Sequence, residues 1–374
     1  MLRLTGTAAR RPKVAHLLVL ALMLALVTPA GSPAAAVQPL PAMTERVLDQ
    51  YVLPRFDKLK QATDKLAADV AKLCSGEKRR LNAVRADFEQ AVLGWAEVEF
   101  LRFGPMSVTG RPERIVFWPD PRGVVQRQLA GVIARRDATA LEPSSLAKKS
   151  AALQGLTALE VLLTDDKHPL GNDGDAEEAR YRCRLAVAVA QNVASLVGEM
   201  AGDWNGGEGW RKRMLEPGPQ NASYKTPAEP PAEFARALIT GLQMLQDRQV
   251  VPLTAANVAP GKPARLAFAG SDLSARYVAA GVESLKDLYE AMGLGRDVPK
   301  AKAWMPQWIT MAFKRLARDA PAAVKRNGAV AQGEERTREL RMLRFHVEGI
   351  RKLVGRELAP NAGLMIGFNE LDGD

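Results

Sequence analysis

Histidine is nearly missing from this 374-residue chain, which has three. One of them, His16, lies in a segment that is expected to be removed; the others, His168 and His346, are far apart. No HExxH spacing occurs, so the usual two-histidine zinc helix is excluded. A Ser-His-Asp or Cys-His site would have to be built around one of two poorly placed imidazoles. Cysteine is equally sparse, with Cys74 and Cys183 alone, and there is no CxxC pair and no EF-hand loop. Strand-like alternation of Val, Ile, Tyr and Phe is scarce, which argues against a β fold. Past the N-terminus no apolar run is long enough to span a bilayer. No arginine stripe with interleaved aromatics is present, so nucleic acid is not an expected partner.

What is there is rich in Ala, Leu, Arg and Glu, and 47% of the residues are hydrophobic. That supports an all-α fold with enough apolar side chains for two cores. The N-terminus has the three parts of a secretory signal. Arg3, Arg10, Arg11 and Lys13 form a basic start, LLVLALMLALV (17–27) is an apolar run of 11 residues, and Ala34-Ala35-Ala36 is a small-residue cleavage site. Cleavage is expected after Ala36. No cysteine follows the apolar run, so a lipidated cysteine is excluded. The formal charge of +10 falls to +6 without residues 1–36, which hold four Lys/Arg and no acid. In an exported chain, the lone pair Cys74 and Cys183 is most simply a disulfide, worth about 4 to 5 kcal/mol in the chain-entropy model; two free buried thiols are the alternative.

Apolar residues recur at helical spacing over long stretches: Leu59, Leu66, Val70, Leu73; Leu81, Val84, Phe88, Ala91, Trp95; Ala186, Val189, Val193, Leu196, Met200; Leu340, Leu343, Val347, Ile350. Each is the seam of a bundle helix. Pro54 is expected to kink or break the first helix, and Asp175 with Glu178 forms a capping box. Pro143 fits the first turn of a helix that continues through QGLTALEVLL (154–163), with Gly155 in its middle. Four regions follow: a signal peptide over 1–36, an N-terminal helical bundle over 37–204 with a loop insertion at 104–123, a linker over 205–231 rich in Gly, Pro, Asn and Ser, and a C-terminal helical bundle over 232–374. The two bundles are expected to be duplicates. Phe88 and Phe234 begin similar stretches, QGLTALEVLL pairs with AGVESLKDLY (280–289), and LVGEM (196–200) with LVGRE (353–357), at offsets of 146, 126 and 157 in preserved order.

SLAKKSAALQGLTALEVLL, RFGPM (102–106), RIVFWPDPRG (114–123), the cysteine pair, QNVASL (191–196) and the ending GLMIGFNELDGD together resemble the imelysin-like family. These are exported bacterial proteins that include a peptidase described as insulin-cleaving and iron-regulated periplasmic proteins. The resemblance implies an all-α fold of two duplicated bundles. It also implies a GxHxxE helix, in which His and Glu three residues apart share a face and can chelate a metal or pair as base and orienter. Carried over, Gly155 and Glu160 keep their places, and Thr157 stands where the histidine would be. A threonine hydroxyl is a poor transition-metal ligand and no general base at neutral pH.

The candidate ligand-binding residues are therefore Gly155, Thr157 and Glu160, joined by Trp118, Asp120 and Arg122 of the Pro- and aromatic-rich loop, and by Asn369 and Asp372 of an acidic tail that could fold back toward Glu160. Glu160 alone remains as a weak candidate metal ligand. As a buried carboxylate it could instead pair with Arg114, Arg122 or Arg127, and Trp118 could be filler in a loop plugging the junction of the halves. His346 is expected to be structural or on the surface, and His168 to sit in a solvated acidic turn. The first functional reading is a non-catalytic exported binding protein of the periplasm or cell envelope, whose partner is a small ligand or an envelope protein and whose ligand is iron-related by resemblance only. The alternatives are a metal-dependent peptidase, weakened by the absent histidine, and a structural envelope protein that meets partners through its helix faces. No cofactor is identified by the residues themselves.

Overall fold

A computed structural model describes residues 39–77, 80–108, 110–171, 176–254, 264–325 and 334–366. The expected signal segment, Asp175 of the expected capping box, and Asn369 and Asp372 of the tail lie outside the described residues. Among the described residues all regular structure is helical and there is no strand. The helices run α1 (Leu40–Val47), α2 (Leu53–Cys74), α3 (Leu81–Ala96), α4 (Arg111–Ile115), α5 (Val124–Arg135), α6 (Pro143–Leu146), α7 (Leu156–Thr164), α8 (Ala176–Asn205), α9 (Trp210–Leu215), α10 (Glu229–Leu245), α11 (Ser274–Met292), α12 (Trp304–Lys325), α13 (Glu334–Leu353) and α14 (Ala359–Asn361).

Of the kink or break expected at Pro54, the break does not occur. α1 and α2 are joined without a gap by a π-helical turn, Leu48–Val52, which ends two residues before the proline. The same arrangement recurs twice. A π turn at Gln246–Val250 precedes Pro252, and one at Val354–Leu358 precedes Pro360. A proline removes one backbone donor and crowds the carbonyl a turn earlier. Widening that turn by one residue gives the ring room and lets the helix continue. The prolines thus mark bulges in continuous helices.

The described residues form one compact unit. α2 packs between α3 and α8, while α11 packs on α10, α12 and α3, and α13 on α12. The seams read from the sequence supply the core: Leu59, Leu66, Val70, Leu73, Trp95, Val193, Val347 and Ile350 are all fully buried. Each such large side chain contributes about 1.5–3 kcal/mol by leaving water. The Cys74–Cys183 disulfide, with Cα atoms 5.4 Å apart, ties the end of α2 to α8. A polar cluster fastens α2 and its π turn to α11: the Tyr51 hydroxyl meets Ser284 Oγ at 2.8 Å, and Arg55 donates to Ser284 Oγ at 3.1 Å and to Asp287 at 2.6 Å. Aromatic edges link early and late parts of the chain, Phe88 of α3 with Phe268 of the loop before α11, and Phe103 with Phe234 of α10.

The 205–231 segment, expected as a linker, carries α9 and a hydrogen-bonded turn. Asn221 accepts from the amides of Ser223 and Tyr224 at 2.8 and 3.0 Å and donates to the carbonyls of Arg213 and Glu216. The 104–123 insertion is likewise held down. Arg111 is buried and donates to Pro105 O, to Asp203 at 2.6 Å and to Glu199 at 3.2 Å, which pins the insertion onto α8.

Candidate functional site

The helix expected to start at Pro143 is interrupted. α6 ends at Leu146, a single 3-10 turn covers Ala151–Leu153, and α7 starts at Leu156. Gly155 is therefore the residue that opens α7, in extended backbone, and not a mid-helix glycine. Its reason for being glycine is steric. A Cβ there would fall 2.2 Å from the carbonyl oxygen of Ile115 and 2.5 Å from that of Arg114, so the insertion's backbone passes directly over this residue. Gln154 secures the same junction: Arg114 Nε donates to its Oε1 at 2.7 Å, its Nε2 donates to Lys149 O at 2.5 Å, and its own carbonyl accepts from Asn192 Nδ2 at 2.9 Å.

With the Phe117 stretch laid against α7, the next two candidates find partners. Thr157 Oγ1 accepts from the Phe117 amide at 3.3 Å. Glu160 is 8% exposed and accepts from both the amide and the hydroxyl of Ser271, at 2.9 and 2.7 Å. The expected pairing of Glu160 with Arg114, Arg122 or Arg127 is corrected by this contact: Arg114 is engaged by Gln154, Arg122 is exposed, and Arg127 donates to the carbonyl of Arg122. Burial raises the Glu160 pKa above the ordinary carboxylate value, and the Ser271 hydroxyl with the amides of Ser271 and Gly270 opposes that shift only in part.

Ser271 reaches Glu160 from a tight loop before α11. Phe268 and Asp272 hold positive φ of 59° and 58° there, a conformation that costs a side-chain-bearing residue about 1 kcal/mol or more. Phe268 stays in place because its ring packs on Tyr277, with centroids 5.0 Å apart, and on Phe88. Asp120, in the insertion, is buried and accepts from the amides of Val124 and Val125 at 2.7 and 2.9 Å, so it caps α5.

A cavity of about 490 Å³ opens between these elements. Thr157, Glu160, Trp118 and Asp120 line it, together with Phe117, Phe268 and Arg265. Four of the expected residues are thus gathered at one site. Gly155 lies beneath it as the backbone crossing, and Arg122 is not part of it. Sequence reasoning missed Ser271, Gly270, Phe268 and Arg265, which come from more than a hundred residues away; no local motif marks them. Elsewhere His168 is exposed in its turn, with Nδ1 3.1 Å from Asp165, whose carboxylate also takes Arg182 at 2.7 Å. His346 is buried in α13 beside Trp308 and Phe345, and burial with the charge of Arg315 lowers its pKa. In α11, Glu283 and Lys286, the expected counterparts of Thr157 and Glu160, pair with each other at 2.9 Å.

A metal ion of the kind the GxHxxE resemblance implies does not fit the residues found here. Thr157 and Glu160 are the only protein groups in the motif's positions, the Thr157 oxygen is already occupied by an amide, and Glu160 favours its protonated form more than a free carboxylate does. Among the described residues no group of three or more His, Cys, Asp or Glu side chains is gathered as a metal-holding set. Metal sites of the catalytic kind need about three such ligands.

Over residues 52–343 the chain matches the family model for Imelysin, a peptidase family. Among solved structures it is similar to an Imelysin-like protein from Psychrobacter arcticum 273-4, at 19% identity and a TM-score of 0.67, with 89% of this chain and 98% of that one covered. It is also similar to a protein described as an iron-regulated protein A precursor from Parabacteroides distasonis ATCC 8503, at 13% identity and a TM-score of 0.65, with 87% and 95% covered. At these identities the two likenesses establish the helical fold. No curated protein matches.

Proposed function

This chain belongs to the imelysin family, and from that premise we propose that it is an exported, non-catalytic binding protein of the periplasm or cell envelope that takes a small ligand over Thr157 and Glu160. The observation that carries the reading is the cavity itself: about 490 Å³, walled by Phe117, Trp118 and Phe268, and lined by the Thr157 hydroxyl and by Glu160, whose pKa burial raises. Aromatic walls with a few fixed polar groups suit a small, largely apolar molecule that is oriented by hydrogen bonds. Glu160, held by the amide and hydroxyl of Ser271, offers such a ligand a fixed polar group. The basic start, apolar run and Ala34-Ala35-Ala36 of the N-terminus support export, as does the Cys74–Cys183 disulfide. The similar Parabacteroides protein is described as an iron-regulated precursor, which makes an iron complex a ligand to test.

The two bundle regions, 37–204 and 232–374 on either side of 205–231, are read as descended from one duplicated unit. The ordered sequence pairs support this, although the paired glycines now sit differently: Gly155 opens a helix, whereas Gly281 lies inside α11.

The test uses the secreted form of the chain, residues 37–374. Iron(III) alone, zinc alone and the iron(III) complex of 2,3-dihydroxybenzoate are offered separately, and bound metal is measured after dialysis together with cleavage of insulin B chain. Retention of the complex but not of bare metal, with retention weakened at least tenfold by Glu160→Gln and no cleavage, supports the binding reading. Stoichiometric bare metal with peptide cleavage overturns it in favour of the peptidase.

A further inference from the structure

The RFGPM stretch takes no part in the Glu160 site, yet it walls a second cavity of about 360 Å³. The two cavities share no lining residue. The second is assembled from four separate stretches: Arg102 and its neighbours before the first insertion turn, Trp210 at the start of α9, Tyr224 in the Asn221 turn, and Glu233, Arg236 and Thr240 on successive turns of α10. Convergence of distant segments distinguishes it from a surface crease between two helices.

Its chemistry is defined on three sides. Two guanidiniums line it. Arg102 is bonded to Glu113 at 2.9 Å and Arg236 to Glu233 at 2.9 Å. Each guanidinium has five N–H donors, more than one carboxylate can accept. Both are drawn in from solvent, with side-chain exposures of 15% and 28%. The charged groups on the lining are Arg102, Arg236 and Glu233, two guanidiniums to one carboxylate, and Glu113 pairs with Arg102 from outside it. Trp210 and Tyr224 stand edge to face, 6.4 Å apart, and present an aromatic corner. Thr240 is buried and supplies a hydroxyl at the base. Burial and the Glu233 carboxylate push the Tyr224 phenol pKa up, so it stays neutral.

We propose that this cavity is a binding site for a small monocarboxylate with an aromatic body, its carboxylate held by Arg102 and Arg236 and its ring set against Trp210 and Tyr224. Two guanidiniums against one carboxylate on the lining favour an anion over a cation. Planar guanidiniums suit a carboxylate better than a point charge would. The volume lies at the small end of ligand cavities, which admits a one-ring acid. Glu233 competes with the ligand for Arg236, so it sets the affinity as well as the charge.

The experiment is calorimetric titration of residues 37–374 with benzoate, and in parallel with benzylamine and inorganic phosphate. Benzoate is expected to bind one to one with a dissociation constant below about 1 mM, and the other two not to bind. Arg236→Gln and Arg102→Gln are each expected to weaken benzoate at least tenfold. Because either change could also disturb the fold, Glu233→Gln is the deciding variant: by freeing Arg236 and raising the net charge it is expected to tighten benzoate several-fold, which misfolding does not do. Absence of benzoate binding, phosphate binding as tight as benzoate, or a Glu233→Gln variant that binds no better overturns the proposal.

Discussion

Gly155 lies directly under the carbonyl of Ile115, so close that a Cβ would come to 2.2 Å from that oxygen. Backbone cannot swing aside as a side-chain tip can. Gly155→Ala is therefore expected to cost about 3 kcal/mol or more, and to displace the insertion that carries Trp118 and Asp120. Gly281, its sequence counterpart, gives the control. It lies inside α11, and the nearest atom to an added Cβ is Ala96 O at 3.7 Å. Gly281→Ala is expected to gain about 0.5–1 kcal/mol from helix propensity alone. Denaturant melts of the two variants check both signs; equal effects would mean that the crossing at Ile115 does not constrain Gly155.

Glu160 makes stability depend on pH in a definite direction. Its folded-state pKa is raised by burial, so the folded chain holds this proton more tightly than the unfolded chain does. The stabilisation is complete below the ordinary carboxylate value of 4.5 and is lost as pH rises through the raised value. Glu160→Gln keeps an acceptor for Ser271 and removes the titration. The difference in stability between variant and parent is expected to move in favour of the variant as pH rises through that window. Curves that stay parallel across it would show that burial does not raise the Glu160 pKa.

The helices and seams were legible in the sequence because helical periodicity is local: Leu59, Trp95, Val193 and Val347 are in the core where their spacing put them. Two features were not legible, for different reasons. From sequence Pro54 reads as a kink or a break, since nothing in a single proline tells a break from a π turn that absorbs it; the repeat at Pro252 and Pro360 becomes visible only with coordinates. The apolar pattern of Leu153, Leu156 and Leu159 runs through Gly155 and reads as one helix, although the chain turns there. At the site, Thr157, Glu160, Trp118 and Asp120 came from motifs, whereas Ser271 and Phe268 arrive through tertiary packing from a loop with no periodicity of its own.

Asp120 shows how a site residue can be structural. Both its oxygens are taken by amides at the start of α5, donors that would otherwise lack partners. Asp120→Ala is expected to cost about 1–2 kcal/mol, and Asp120→Asn less, since one acceptor survives. Thermal melts of both variants test the order. If Asp120→Ala left stability untouched while abolishing ligand binding, the carboxylate would belong to the ligand and not to the helix.

The disulfide offers the largest single effect. Cys74 ends α2 and Cys183 lies in α8, with a sequence separation of 109. Closing a loop of that length restricts the unfolded chain far more than the folded one, where α2 and α8 already pack side by side. The chain-entropy model gives about 4 to 5 kcal/mol for such a loop. The paired change Cys74→Ser and Cys183→Ser is expected to lower the guanidinium midpoint accordingly, and reductant to lower that of the parent but not of the variant. The packed α2–α8 seam, with Leu66, Val70 and Val189 fully buried, is expected to keep the unbridged chain folded at room temperature, so helical circular dichroism should survive reduction. Collapse of the helical signal on reduction would mean that the bridge is required for folding, not only for stability.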